Sequence, residues 1–581
     1  MEESLTLFRK YYPLETAKLE NSVEAVNLNN YFEPRIQFGT AGLREICEIG
    51  SRYMNGITVV QMAQGLLQWH LKFSDKHEIV VGHDHRYHSI EFAALIANTF
   101  LQAGYKVFWL DQCSTPLSSF SSAHLRALAI MVTASHNPKE YNGIKIYLEN
   151  GCQLVDPFDK EIAQFILDNL NIIHFDPTPS DKYHRVHDEM MQHYLSVCKD
   201  TIKCFPSTNP IDVVYTPIHG IGYEMVHEIV KSVLPSINIV TVAEQQQPNP
   251  DFPTVVFPNP EEKGALDLAI ATAKSNDISI VIANDPDADR LALAEKLVDG
   301  SFKIFSGDQL GILLGSWLIK HSSGKRCCVS TVVSSKMFSE MAKANSVHAA
   351  TCLTGFKWIA STSLKLSEQG YKLVLAYEEA LGYMVGDFKN WSIKDKDGIR
   401  SMLVLINLVS HIYASNKTVF GYLDELYATY GYFGTSNGYV QCSDAALIKS
   451  VVNKLRHSTA IDTWDNAPYS YPTRIGGFRV VEIQDLNAGF DSTTFDKKTI
   501  LPKQSSPMIQ FKFAIDEETA TTTYNGAWLT IRASGTEPKL KFYIEVAGNG
   551  TDLAKTKENV DKKAKELEDL VLNEWLKDII E

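Results

Sequence analysis

Ala127-Leu128-Ala129-Ile130-Met131-Val132 runs straight into Thr133-Ala134-Ser135-His136-Asn137-Pro138, and Asn142-Gly143-Ile144-Lys145-Ile146-Tyr147 follows shortly after. The first run is apolar and short, so it reads as a buried strand with the polar hexapeptide in the loop at its carboxyl end. Open α/β sheets put their chemistry there. A serine flanked by a histidine, and closed by an Asn-Pro that cannot continue a strand, suits a nucleophile held rigidly in the open. The plain alternative is an ordinary turn rich in Ser and Asn.

Outward from this loop, one order of elements recurs three times. A strand over residues 79–82, a helix over 91–102 ended at Gly104, and strands over 106–110 and 127–132 lead into the serine loop. Strands over 211–215, 237–242 and 278–283, with helices near 223–233 and after Gly264, lead into Asp285-Pro286-Asp287-Ala288-Asp289-Arg290. Strands over 326–333, 348–353 and 371–376, with helices over 337–344 and from Lys357, lead into Glu378-Glu379-Ala380-Leu381-Gly382-Tyr383. The units share an architecture without sharing sequence. Such alternation predicts mixed or parallel sheets with helices on both faces, and three strand-end loops aimed into one cleft.

The flanks differ in texture. Residues 1 to about 35 are polar and helix-like, ending near Pro34, before Phe38-Gly39-Thr40-Ala41-Gly42-Leu43-Arg44, where two glycines suit a tight turn presenting Arg44. Beyond about residue 440, strands are expected over 474–483, 508–514 and 527–532 with little helix between them. A closing amphipathic helix carries Val560, Ala564, Leu567 and Val571 on one face. The fold class is α/β in four domains: three repeated mixed α/β sandwich units and a C-terminal α+β domain around a central cleft. Their bounds are 1–208 with the serine loop, 209–322 with the aspartate loop, 323–440 with the glutamate loop, and 441–581.

The loops carry distinct chemistry. Asp285, Asp287 and Asp289 alternate, so their side chains can converge on one hard cation; three carboxylates without His or Cys favour magnesium over zinc. An EF-hand is excluded, because its required Gly and later Glu are absent. Arg290 is expected to neutralise phosphate charge rather than pair with a neighbour. For an acid or base the loops offer two candidates, His136 and Lys145, unranked. Arg532-Ala533-Ser534-Gly535-Thr536-Glu537-Pro538 offers a guanidinium, hydroxyls and backbone amides that can surround a phosphate dianion. His83-Asp84-His85-Arg86-Tyr87-His88 could be mistaken for a metal cluster; it reads instead as a strand end whose Arg86 supports the serine loop.

The serine loop, the aspartate loop, the glutamate loop and the Arg532 loop, in that order, resemble the motifs of the α-D-phosphohexomutase superfamily over nearly the full chain. The resemblance implies that Ser135 carries a phosphoryl group, and that Mg2+ sits among Ser135, Asp285, Asp287 and Asp289. It also implies that Arg44, in a match to Gly-Thr-x-Gly-Leu-Arg, reaches the active-site phosphate. Arg290, Thr354, Glu378 and Lys396 become substrate ligands, and Arg532, Ser534, Gly535 and Thr536 hold the phosphate that is not reacting. Where the glucose branch has Ser, this chain has Ala380. With Leu353-Thr354-Gly355-Phe356-Lys357-Trp358 upstream, it is similar to the branch containing phosphopentomutase and glucose-1,6-bisphosphate synthase.

Composition sets the outer limits. The chain has 581 residues, of which 45% are hydrophobic and 21% charged, so ample core is expected. A net charge of −14 without a basic block argues against nucleic acid and anionic membrane as partners. Nine scattered cysteines with no Cys-x-x-Cys spacing point to reduced thiols, and Cys327-Cys328 in a buried strand needs no redox role. The acidic start Met1-Glu2-Glu3-Ser4 is not followed by an apolar segment, so no secretory signal is expected, and the apolar run 310–319 is too short to span a bilayer. The expectation is a cytoplasmic monomer acting on small sugar phosphates.

The expected activity is a phosphosugar mutase that interconverts sugar 1-phosphate with 5- or 6-phosphate through a phosphoserine and a sugar bisphosphate, on ribose, deoxyribose or glucose. A sugar 1,6- or 1,5-bisphosphate would be its activator. Glucose-1,6-bisphosphate synthase is the alternative within the class. A metal-dependent phosphatase and a non-catalytic sugar-phosphate sensor are the alternatives outside it.

Overall fold

The computed structural model describes residues 2–22, 25–38, 42–386, 393–442, 444–457, 467–504, 506–516, 521–533 and 539–580. The chain divides into two compact units, one of residues 1–329 with 355–416, the other of 330–354 with 417–581.

The first unit begins with three helices, Glu2–Tyr11, Pro13–Ser22 and Ala25–Phe32. Its first sheet holds β1 (Leu43–Ile46), β2 (Glu78–His83), β3 (Lys106–Gln112), β4 (Leu128–Val132), β5 (Tyr141–Tyr147) and β6 (His184–Arg185) in the order β1-β5-β4-β2-β3-β6. β2 lies parallel to β3 and β4, while β5 runs antiparallel to β4 and to β1. The expected strand at 127–132 is present, and all of its side chains are buried. Each large one stabilises the fold by about 1.5–3 kcal/mol. Helices Gly56–Phe73 and Ser89–Gln102 supply the apolar layer against this sheet. The first is begun by a capping box in which Asn55 and Thr58 satisfy each other's backbone N–H.

Two elements of this domain escaped the sequence pattern. Helix Thr115–Leu125 is written in serines with no apolar stripe, yet Ser114 caps it and Pro116 stands in its first turn. β5 directly follows the serine loop and turns it into a hairpin. Lys145 and Tyr147 of β5, two residues apart, therefore project from one face.

A second sheet follows the expected order, with β7 (Ile211–Thr216), β8 (Ile237–Thr241), β9 (Ile280–Ala283), β10 (Ala292–Lys296) and β11 (Phe302–Ile304) arranged β11-β10-β9-β7-β8. The aspartate loop joins β9 to its antiparallel neighbour β10. In the third repeat, β12 (Arg326–Thr331) and β13 (His348–Cys352) precede β14 (Lys372–Glu378), which pairs antiparallel with β15 (Gly382–Val385). The glutamate loop is the tight connection between these last two. Helix Gly307–Lys320, the apolar run once weighed against a membrane span, is a core helix, and Gly311 lets the Tyr377 ring lie against it. No single helix among the described residues is long and apolar enough to cross a membrane.

The second unit is built on one sheet of β16 (Tyr432–Gln441), β17 (Arg474–Ile475), β18 (Phe478–Asp485), β19 (Phe490–Asp491), β20 (Met508–Ile515), β21 (Thr523–Ala533) and β22 (Lys539–Asn549). The single strand expected over 474–483 is a hairpin broken at Gly476-Gly477, because Gly476 takes a left-handed φ of 51°. Helix Ala445–Arg456 precedes these strands, and among the described residues no helix lies between them, as expected. The closing helix Leu553–Leu570 does bury Val560, Ala564 and Leu567. Residues 330–354 are tied in by Glu545 of β22, whose buried carboxylate accepts from Ser335 Oγ and from the backbone N–H of Lys336 (2.9 Å), capping helix Lys336–Ala344.

Candidate active site

The serine loop is held by its own backbone. Ser135 has φ of 54°, a left-handed conformation, and its N–H donates to Thr133 Oγ1 at 2.8 Å. Arg86 is the brace: Nη2 donates to the carbonyls of Ser135 (2.5 Å) and Asn137 (2.6 Å), and Nη1 to those of Pro138 (2.8 Å) and Tyr141 (3.3 Å). Asp84 lies 3.4 Å from Arg86 Nε, and the Phe252 ring covers the guanidinium. This is the supporting role read from sequence for Arg86. The serine is not in the open, however: Ser135 is 3% exposed, because the aspartate loop lies over it.

Ser135 Oγ donates to Asp285 Oδ2 at 2.9 Å and lies 3.1 Å from His136 Nδ1. Asp285, Asp287 and Asp289 are fully buried, and one oxygen from each lies within 4.8 Å of the others. Ala288 between them takes a φ of 60° and makes the turn that brings them to one side. Asp285 Oδ1 accepts the backbone N–H of Arg290 (2.9 Å). Asp287 Oδ2 accepts from Thr115 Oγ1 (2.6 Å) and Lys145 Nζ (2.7 Å), while Asp289 Oδ2 accepts from Lys145 Nζ (2.7 Å) and lies 3.4 Å from Lys396 Nζ. The Oδ1 atoms of Asp287 and Asp289 are buried with no hydrogen-bond partner. Three hard oxygen donors, no softer ligand and two unpartnered carboxylate oxygens fit a metal ion. Among the described residues no other group of three His, Cys, Asp or Glu does so.

Burial and the charges of Asp287 and Asp289 push the Asp285 carboxyl well above its usual range. Burial acts the same way on Asp287, but Lys145 overrides it and holds this carboxylate well below that range. In return, Asp287 and Asp289 outweigh the burial of Lys145 and raise its pKa. Burial, then the positive charges of Arg290 and Arg44, lower His136 well below its usual value, so its imidazole is neutral at neutral pH.

The glutamate loop joins the same place. Leu291 N–H donates to Leu381 O at 3.1 Å, and Arg290 forms a backbone bridge with Gly382. Gly382 is required by a close approach, since a Cβ there would lie 2.4 Å from Lys396 Cδ and 3.0 Å from Glu378 Cγ. Lys396 lies over the Phe356 ring, 3.8 Å from Asp395 Oδ1, and Asp395 Oδ2 accepts from Tyr147 OH and Gln153 Nε2, both at 2.7 Å. Burial pushes Glu378 up to about 7, against the pull of Lys396.

Ser135, His136, Lys145, Arg44, Arg290, Glu378, Lys396 and the three aspartates thus belong to the first unit, where Arg44 Nη1 donates to Asn137 Oδ1 at 3.2 Å. Arg290 departs from expectation: its Nη1 lies 3.3 Å from Glu261 Oε2, so it has a carboxylate neighbour. Thr354 and Arg532 belong to the second unit, Arg532 near the end of β21 opposite Met508 and Lys541. Ser534, Gly535 and Thr536 lie outside the described residues. Thr115, Asp395 and Tyr147 were not anticipated. The Ser-Thr-Pro helix start at 114–116 was the one available signal, and it points to a helix rather than to a site.

A serine oxygen beside a neutral imidazole and a carboxylate trio that fits a cation is an arrangement suited to phosphoryl transfer. Family models agree in kind. Those described as phosphoglucomutase/phosphomannomutase alpha/beta/alpha domains I, II and III match residues 35–171, 192–299 and 306–430, and that for the C-terminal domain matches 498–563. The chain is 38% identical to a Homo sapiens phosphopentomutase, over 89% of this chain and 86% of that one. It is 36% identical to a Saccharomyces cerevisiae phosphoribomutase, over 90% and 88%. Against a Homo sapiens glucose 1,6-bisphosphate synthase it is 34% identical, over 89% and 84%.

Proposed function

The chain belongs to the phosphoglucomutase/phosphomannomutase family and is a phosphosugar mutase, and from that premise we propose that it interconverts the 1- and 5-phosphates of ribose and deoxyribose through phospho-Ser135. The observation that carries this reading is Ser135 Oγ, 2.9 Å from Asp285 and 3.1 Å from His136 Nδ1. Phospho-Ser135 gives its phosphoryl group to the free hydroxyl of the sugar monophosphate: a sugar O–P bond forms, the serine Oγ–P bond breaks, and the hydroxyl proton goes to a base. The resulting bisphosphate turns over, Ser135 Oγ takes the other phosphoryl group as that sugar O–P bond breaks, and the sugar oxygen left behind takes up a proton. His136, neutral and within reach, accepts the serine proton. Lys145 is engaged by two aspartates and kept charged, which ranks it below His136 as a base.

Asp285, Asp287 and Asp289 are the residues that would hold magnesium with Ser135, and the ion would supply positive charge to the phosphoryl oxygens. Glu378 accepts sugar hydroxyls, and Ala380 supplies no further hydroxyl for a hexose. Arg44, Arg290, Lys396, Thr354 and Arg532 keep the phosphate and sugar contacts that the family resemblance gives them. Four domains with the bounds 1–208, 209–322, 323–440 and 441–581 follow from the same reading. None of the nine cysteines is placed in a disulfide, which supports work in the cytoplasm.

The test is steady-state turnover with magnesium and a trace of sugar bisphosphate on ribose 1-phosphate, deoxyribose 1-phosphate and glucose 1-phosphate, with Ser135→Ala as control. Pentose phosphates are expected to give the higher kcat/KM. Bisphosphate accumulating only with an acyl phosphate donor would establish the synthase instead, and release of free phosphate a phosphatase.

A further inference from the structure

Thr115 is the first residue of helix Thr115–Leu125, and it grips one aspartate of the loop twice. Its backbone N–H donates to Asp287 O at 3.0 Å, and its hydroxyl donates to Asp287 Oδ2 at 2.6 Å. Lys145 Nζ completes a triangle, 3.2 Å from Thr115 Oγ1 and 2.7 Å from the same Oδ2. Thr115 is fully buried, so no water competes for these bonds.

The consequence lies in which oxygen stays free. A carboxylate buried without constraint would turn either oxygen towards the cations. Here two donors fix Oδ2, and Oδ1 of Asp287 is left buried and without a partner. A buried acceptor left unsatisfied is costly, and in a trio of converging carboxylates such an atom suits a cation. We infer that Thr115 is a positioning residue of the cation site: its hydroxyl locks the Asp287 carboxylate in the one orientation that leaves Oδ1 free for the metal.

This rests on the reading that Asp285, Asp287 and Asp289 hold the ion, and it assigns a purpose to a residue whose hydroxyl is engaged by Asp287 and Lys145. Groups that orient metal ligands in this way alter metal affinity by about 10–100-fold.

Magnesium titration of the full-length chelator-treated protein, followed by the rise in its unfolding temperature, reads the site without turnover. Thr115→Val keeps the shape and the backbone bond but loses the hydroxyl, and its half-saturating magnesium concentration is expected to rise at least about tenfold. Thr115→Ser keeps the hydroxyl and is expected to stay within about threefold of wild type. Should the valine variant fail to fold, Thr115→Ala adds no volume and the same rise is expected. Equal half-saturation for wild type and the hydroxyl-free variant would overturn the inference, as would a serine variant weakened as much as valine. A wild-type protein that shows no magnesium shift would instead overturn the assignment of the three aspartates.

Discussion

Ser135 Oγ donates a 2.9 Å hydrogen bond to Asp285 Oδ2 across 150 positions of chain, so the nucleophile loop and the carboxylate loop form one chemical site. Replacing Ser135 with Ala removes the oxygen proposed to carry the phosphoryl group and little else. Turnover is expected to fall by roughly three orders of magnitude or more. Intact-mass measurement after incubation with sugar bisphosphate should show one added phosphoryl group on wild type and none on the variant; phosphate on the variant would remove Ser135 from the role.

Arg86 holds the carbonyls of Ser135, Asn137, Pro138 and Tyr141 through a planar fork that lysine cannot reproduce. For Arg86→Lys the expected loss is about 2–4 kcal/mol in stability by urea unfolding. A misplaced serine loop should also lower kcat about 100-fold. Loss of stability with undiminished kcat would mean that the brace does not set the geometry of the serine.

Glu378 gives the reaction a pH dependence with a definite sign. Its pKa in the folded chain is raised from the ordinary 4.5 to about 7 by burial, with Lys396 opposing. Between these two pH values the folded protein binds a proton that the unfolded chain has lost. The stability associated with Glu378 is therefore complete below pH 4.5 and declines as pH rises through 7. Activity is expected to run the other way: in the role proposed for Glu378 the carboxylate is the form that accepts two sugar hydroxyls, so kcat/KM should rise through about pH 7. In Glu378→Gln both dependences should flatten, as read by unfolding temperature and by kcat/KM across pH 5.5 to 8.5; a profile identical to wild type would assign the titration elsewhere.

Gly382 is the contact point of Glu378 and Lys396, and an added methyl would meet Lys396 Cδ at 2.4 Å. Gly382→Ala should displace both side chains, at about 1–3 kcal/mol of stability. KM for the sugar phosphate is expected to rise about tenfold, equivalent to roughly 1.4 kcal/mol of lost binding, with a smaller change in kcat. Unchanged KM would show that the two side chains do not read the sugar together.

The sequence alone determined the repeated strand and helix order and the three strand-end loops, because hydrophobic periodicity is local and strand ends follow from it. It also carried the chemistry of each loop, since three alternating carboxylates or a Ser-His pair are legible without coordinates. The hairpin broken at Gly476-Gly477 was missed because an apolar pattern on both sides of two glycines resembles one long strand.

Which groups touch was decided by the tertiary structure. Lys145 stood beside His136 as one of two unranked acid or base candidates, yet the packing of β5 against the aspartate loop commits it to residues 142 and 144 positions away. Thr115 reaches Asp287 over 172 positions, and no spacing rule announces such a pair. Ser135 is buried rather than open, and Arg290 sits against Glu261. The physical reason is common to all four: composition fixes what a side chain can donate or accept, whereas the partner is set by how separate sheets and helices pack, and the energy of a buried charge depends on that partner.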